Sequence, residues 1–202
     1  SENMSAKMKT FCNPIVANAA DPWVLKHTDG SYYFMATRSG CLELTQSSSL
    51  TGIVWGRKKT VWRPEPGGSY SCNLWAPEIH YLKHKWYIYY TANDGGGDES
   101  RRICVLENEN DDPLEGEWSW RGALETPVPG LDGTVMSLRN ELYFLYAGYG
   151  NFPDYGSAIY IAQMANPWTL TGEHHLLTAP TLPWEKQGGM AINEGPVTLH
   201  RN

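Results

Sequence analysis

Asp21, Asp132 and Glu194 each open a copy of one short pattern, and three carboxylates brought to one pocket can divide acid and base work among themselves. The copies read Asp21-Pro22-Trp23-Val24, Ala76-Pro77-Glu78-Ile79, Asp132-Gly133-Thr134-Val135 and Glu194-Gly195-Pro196-Val197. Their leading residues are 55, 56 and 62 positions apart. A single Asp before Pro or Gly is commonly just a turn residue. Three acids in one register are a different matter, because Ala76 in the second copy shows that the scaffold does not require an acid there. A negative neighbour raises the pKa of a carboxyl group, so acids set side by side can hold one protonated and another ionised near neutral pH.

The elements that must position these residues are β-strands. Aromatic and aliphatic runs of strand length occupy residues 31–37, 85–91 and 141–147, each within about a dozen residues of a copy of the pattern. Each follows a turn signal, at Asp29-Gly30, His84-Lys85 and Asn140-Glu141, so each unit is expected to begin as a hairpin with the acid-bearing strand first. A second recurring feature, Leu50-Thr51-Gly52, Leu114-Glu115-Gly116 and Trp168-Thr169-Leu170-Thr171-Gly172, is expected in the outer part of each unit. Residues 63–73, 94–100 and 149–156 read as Gly/Pro/Asp-rich loops. No helical periodicity competes.

Repeats of this length built from short strands point to a β-propeller, in which equivalent positions surround one axis. Asp21, Asp132 and Glu194 are therefore expected to converge. The expected fold is all-β, with residues 1–202 forming the N-terminal part of a single propeller domain: three blades and the first strand of a fourth. Three blades and part of another cannot close a ring, and an open strand edge is an aggregation hazard. The expected partner for that edge is a complementary C-terminal fragment of the same propeller, separated by a nick at an exposed turn.

Composition excludes other classes. With 202 residues, 41% of them hydrophobic, the chain can bury a core of its own. Sixteen Lys and Arg against twenty-two Asp and Glu leave a net charge of −6 with no basic run, which argues against a nucleic-acid partner. No apolar stretch approaches the ~18 residues of a membrane span, and the first residues have no signal-peptide apolar region, which is compatible with a mature secreted protein. Cys12, Cys41, Cys72 and Cys104 lack metal-site spacing; buried free thiols are expected, with one disulfide as the alternative. Asn3-Met4-Ser5 matches the short N-glycosylation pattern.

Other residues are read against their plain structural roles. Glu78 lies two positions out of register and is expected to be structural or to support the site. His80, His84, His174, His175 and His200 show no metal-ligand spacing, so no metal site is expected from them. Gly95-Gly96-Gly97 lacks the Lys-Ser/Thr of a phosphate loop. Most of the nine Trp and twelve Tyr must fill the core. Trp75, beside the axial Ala76, is expected in the wall of a ligand site, with Trp23 as a second candidate and Phe152 and Tyr155 at an outer subsite.

The set Ala20-Asp21-Pro22-Trp23-Val24, Trp75-Ala76-Pro77-Glu78-Ile79-His80, Leu131-Asp132-Gly133-Thr134 and Asn193-Glu194-Gly195-Pro196 resembles the five-bladed propellers of glycoside hydrolase family 43. Trp75 to His80 and residues 185–196 look most like its α-L-arabinofuranosidases, acting on arabinan and arabino-oligosaccharides. The resemblance implies inversion at the anomeric carbon, with Asp21 as general base, Glu194 as general acid and Asp132 as the carboxylate that orients the acid and raises its pKa. It implies no required cofactor, although some relatives hold a structural cation in the axial channel. It also favours a secreted or extracellular setting over the cytoplasm. A β-xylosidase remains an alternative, since the three acids would serve both sugars, as does a non-catalytic carbohydrate-binding propeller fragment. Retaining relatives carry Asn-Asp-Pro-Asn where this chain has Ala20-Asp21-Pro22-Trp23, which disfavours retention.

Overall fold

A computed structural model describes residues 20–95, 98–148 and 158–178. They form twelve strands in three four-stranded antiparallel sheets, each ordered as in the chain. The first sheet holds β1 (Ala20–Lys26), β2 (Tyr32–Thr37), β3 (Leu42–Ser47) and β4 (Arg57–Trp62). The second holds β5 (Cys72–Leu82), β6 (Lys85–Asn93), β7 (Arg102–Asn108) and β8 (Ser119–Ala123). The third holds β9 (Gly130–Leu138), β10 (Glu141–Gly148), β11 (Ala158–Asn166) and β12 (Thr169–Thr178). Two single 3-10 turns, Ile53–Trp55 and Asp98–Ser100, are the helical segments, and no α-helix occurs among the described residues.

The second strand of each unit explains the packing. Side chains alternate between the two faces of a strand, and on β6 both faces are covered, so Trp86 to Asn93 are buried without a break. Trp86, Ile88 and Tyr90 meet Tyr33, Met35, Leu42 and Leu44 of the first sheet. Tyr87 and Tyr89, on the opposite face, meet Val135, Leu142, Phe144 and Tyr146 of the third. The second sheet is thus the middle layer, and an aromatic-rich strand is what two covered faces require. Each such side chain contributes about 1.5–3 kcal/mol by burial. The first strands β1 and β5 touch, as do β5 and β9, so the three strands that carry the repeat heads lie side by side along one edge of the stack, with β5 in the middle. Polar ends are satisfied within this packing: the Trp86 indole N–H donates to the Asp111 carbonyl at 3.0 Å, and the Tyr89 hydroxyl donates to the Pro167 carbonyl.

The hairpin turns fall one residue earlier than the sequence suggests. Lys83 and His84 (φ 53° and 64°) form the turn between β5 and β6, and Arg139 and Asn140 (φ 51° and 65°) the turn between β9 and β10. Two central residues with positive φ are the turn whose twist matches antiparallel strands. Lys85 and Glu141 accordingly open strands. The loop expected over 63–73 ends earlier too, since Cys72 and Asn73 belong to β5. Leu50-Thr51-Gly52 and Leu114-Glu115-Gly116 lie in the connections between the third and fourth strands, and Trp168 lies in the equivalent turn before β12. Residues 149–156, expected to form a loop, are outside the described residues. Cys41, Cys72 and Cys104 are free thiols, and burial pushes Cys104 up to about 12; Cys12 lies outside the described residues.

One buried carboxylate helps to lock the outer part of the second sheet. The Glu107 side chain is 2% exposed, accepts the Tyr87 hydroxyl at 2.6 Å and is paired with Arg121 at 2.5 Å. Arg121 in turn lies over the Trp168 ring of the third sheet, 4.6 Å from its centroid. Burial alone would raise the Glu107 pKa, but the Tyr87 hydroxyl, Arg121 and Lys85 outweigh it and hold the carboxyl below its usual range. A depressed folded-state pKa gives stability that is present above the unfolded value of about 4.3 and is lost as pH falls through the folded one. Glu107→Gln should therefore lower Tm at pH 7 and flatten the acid limb of a Tm–pH curve. An equal loss of Tm at every pH would show that the charge is not what Glu107 contributes.

Candidate active site

The head of each repeat is a bulge. Asp21, Ala76 and Asp132 have φ of 50°, 49° and 51°, and the pairing of β1, β5 and β9 shifts register at each of them. Left-handed backbone costs a residue with a β-carbon about 1–2 kcal/mol. Its recurrence at three equivalent positions marks an architectural device. A bulge frees a residue from the ladder and re-aims its side chain, and here it does so on three adjacent strands. Asp21 is exposed, and Ala76 and Asp132 are half-buried. The residue after each bulge is also constrained. A β-carbon at Gly133 would lie 2.2 Å from Cζ of Phe144, so the third copy must have Gly where the first two have Pro.

Thr37, at the end of β2, reaches two of the bulges. It pairs with Ala20 across the ladder. Its hydroxyl donates to Oδ2 of Asp21 at 3.2 Å and accepts the backbone N–H of Ala76 at 3.0 Å. Thr91 and Ala147 hold the equivalent places, pairing with Trp75 and Leu131.

Around Trp75 the second sheet builds a rigid wall. The indole is 37% exposed, and the guanidinium of Arg101 lies 3.5 Å from its ring centroid. Arg101 is itself 0% exposed. Its Nη1 donates to the Asn73 carbonyl at 2.9 Å and to the Thr91 hydroxyl at 3.0 Å. A desolvated cation on a Trp face is worth up to about 2 kcal/mol. Trp23, the other ring read as a sugar-wall candidate, lies between sheets: its indole N–H donates to the Ile79 carbonyl at 3.0 Å and its ring packs 5.1 Å from His80. Glu78 sits two places beyond the bulge with Oε2 3.1 Å from Nε2 of His80, a half-buried pair beneath the inner edge.

The structure therefore brings Asp21, Ala76, Asp132 and Trp75 to the side-by-side inner strands. Glu194, Phe152 and Tyr155 lie outside the described residues. Among the described residues no group of three or more His, Cys, Asp or Glu side chains could hold a metal ion. Thr37 and Arg101 are absent from the sequence reading. A signal was available for Thr37, because Thr37, Thr91 and Ala147 follow their repeat heads by 16, 15 and 15 residues, and aligning the repeats would have exposed the column.

Stacked four-stranded antiparallel sheets, with a re-aimed residue on each inner strand and acids at two of the three, define a propeller-like repeat protein with an acidic site on its inner strands. The chain belongs to the glycosyl hydrolases family 43, whose family model matches residues 11–202. It is 38% identical over 194 residues to an extracellular exo-alpha-(1->5)-L-arabinofuranosidase of Streptomyces chartreusis, covering 94% of this chain and 59% of that protein. A protein of the same description from Streptomyces avermitilis is 36% identical over 94% of this chain and 40% of its own length. Among solved structures, an alpha-L-arabinofuranosidase from Lactobacillus brevis superposes with a TM-score of 0.86 at 38% identity, covering 94% of this chain and 62% of that one. The chain thus spans less than two thirds of the length of each of these relatives.

If the bulge at Ala76 is held against a backbone penalty, relieving that penalty should show in stability. Ala76→Gly is expected to be neutral or stabilising by up to about 1 kcal/mol, and Ala76→Val to cost about 1–2 kcal/mol, because a β-branched residue tolerates positive φ least. Urea midpoints at constant m-value would report both; the opposite order would mean that the backbone at 76 is not left-handed.

Proposed function

We propose that this chain carries the catalytic acids of an inverting glycoside hydrolase that releases α-L-arabinofuranosyl residues from arabinan or arabino-oligosaccharides. The proposed whole is a single five-bladed propeller domain, to which residues 1–202 contribute three blades and the start of the fourth. The observation that carries this reading is the common bulge at Asp21 and Asp132, two acids in one register on the inner strands that flank β5. Similarity to proteins named as exo-acting arabinofuranosidases supports the sugar. Both Streptomyces relatives are described as extracellular, which supports secretion of this protein as well.

In this reading Asp21 removes a proton from the water that attacks the anomeric carbon, while Glu194 gives a proton to the departing glycosidic oxygen. The configuration inverts because attack and departure occur on opposite faces of the sugar. The two carboxyl groups must stand about 6.5–9.5 Å apart to admit that water. Asp132 orients Glu194 and keeps it protonated by its negative charge. Trp75, braced by Arg101, offers an apolar ring to the C–H face of the sugar.

Hydrolysis of 4-nitrophenyl α-L-arabinofuranoside in preference to 4-nitrophenyl β-D-xylopyranoside, with inverted product seen by NMR, is the expected result. Preference for the xyloside would transfer the assignment to a β-xylosidase. Asp21→Ala and Glu194→Ala should each lower kcat by about 10²–10⁴, the usual contribution of a general acid or base; near-native turnover in either would remove that residue from the mechanism. Asp132→Asn should slow turnover and move the basic limb of the kcat/KM profile to lower pH, because an acid without its negative neighbour loses its proton sooner. An unmoved basic limb would leave Asp132 with an orienting role alone.

A further inference from the structure

We infer that Thr37 is the positioning residue of the reaction, its hydroxyl fixing the rotamer of Asp21 against the backbone of the next inner strand. The inference rests on the reading of Asp21 as general base. Three features of the geometry carry it. Oγ1 of Thr37 accepts the N–H of Ala76 at 3.0 Å, and the hydroxyl hydrogen donates to Oδ2 of Asp21 at 3.2 Å. The direction of the chain is set by chemistry: an amide N–H can only donate, and an ionised carboxylate can only accept. A hydroxyl already accepting a bond is also polarised as a donor, so the two bonds reinforce one another.

The second feature is what the contact leaves open. Oδ2 is tied, whereas Oδ1 makes no hydrogen bond to the described residues, and Asp21 is exposed. One oxygen is therefore an anchor and the other is available to a water molecule. An exposed aspartate on a bulge has two soft side-chain torsions, and a general base must sit within hydrogen-bond reach of the proton it takes. Anchoring one oxygen removes most of that freedom without occupying the other.

The third feature separates this contact from scaffold. Equivalent positions in the other two units hold Thr91, whose hydroxyl serves Arg101 instead, and Ala147, which has no hydroxyl at all. The ladder therefore closes without a hydroxyl at this place. β2 also pairs with β1 from Trp23 to Lys26, through residues other than Thr37. Thr37 stands out because its hydroxyl lies between an acid on its own sheet and an amide on the next.

The test compares Thr37→Val, Thr37→Ser and Asp21→Asn in the active enzyme on 4-nitrophenyl α-L-arabinofuranoside, with kcat, KM and Tm measured for each. Thr37→Val keeps the branched shape and loses the hydroxyl. It should lower kcat roughly 10- to 100-fold, the span expected for a hydrogen bond to a charged group, with KM within about twofold of the parent, as when only catalytic geometry is lost. Thr37→Ser should recover most of kcat. Near-parent kcat in Thr37→Val beside an inactive Asp21→Asn would overturn the role of Thr37 and leave Asp21 as the base. A loss of kcat that tracks a fall in Tm, and that Ser does not recover, would assign Thr37 to the scaffold and equally overturn the inference. Near-parent turnover of Asp21→Asn would instead sink the reading of Asp21 on which it stands.

Discussion

The structure depends on a conflict between where the inner strands lie and what they must carry. In a stack of sheets both faces of a middle strand are covered, so a side chain that follows the normal alternation points into a neighbouring sheet. A carboxylate placed there would be buried at a cost of several kcal/mol unless paired. The left-handed bulge at Asp21, Ala76 and Asp132 costs about 1–2 kcal/mol at each position and turns the residue out of that alternation. The smaller penalty prevails. Strand and bulge therefore come as a unit, and the repeat seen in the sequence is a repeat of this unit.

Such strain persists only when the surroundings over-determine it. The clamp is the aromatic packing behind the bulges. β6 sends Trp86, Ile88 and Tyr90 one way and Tyr87 and Tyr89 the other, and each set closes against the hairpin of a neighbouring sheet. Closest to the bulges the contacts become directional: Trp23 to the Ile79 carbonyl, and Arg101 to Asn73 and Thr91. Hydrophobic contact sets the stack; the Trp23 bond ties β1 to β5, and Arg101 ties β5 to β6 within the second sheet. Glu107 with Tyr87 and Arg121 extends the same arrangement to the outer strands, where burial would otherwise disfavour the charge.

Much of this was legible because it is periodic. The repeat heads gave Asp21 and Asp132 their common register, and the aromatic runs gave β2, β6 and β10 to within a residue or two. The turns were misplaced by one residue because Lys83-His84 contains neither Gly nor Asn and Arg139-Asn140 contains only one of them. Their positive φ is imposed by the flanking strands and not by turn chemistry. The two tryptophans show a different limit. Trp23 and Trp75 stand two residues after and one residue before their repeat heads, but composition cannot say which ring is covered by a sheet and which by a cation. Thr37 shows only when the repeats are aligned, and Arg101 not even then: the Ala76 amide and the Asn73 carbonyl that they reach lie 39 and 28 residues away and are backbone groups that no residue type marks.

Ala76 is the departure from the pattern that makes the most physical sense. Its bulge is kept, at the same backbone cost, although it presents no acid. What it contributes is its amide, which meets Thr37 and through it Asp21. An acid at this position would stand within two hydrogen bonds of Asp21, and a like charge so close favours protonation of one member of the pair. The proposed role of Asp21 requires it to remain ionised, and a neutral neighbour serves that role better. The second repeat thus supplies a dipole where its neighbours supply charge, and it places Trp75 one residue away on the same strand. A stack of similar units acquires distinct sectors by changing side chains on a bulge that is kept.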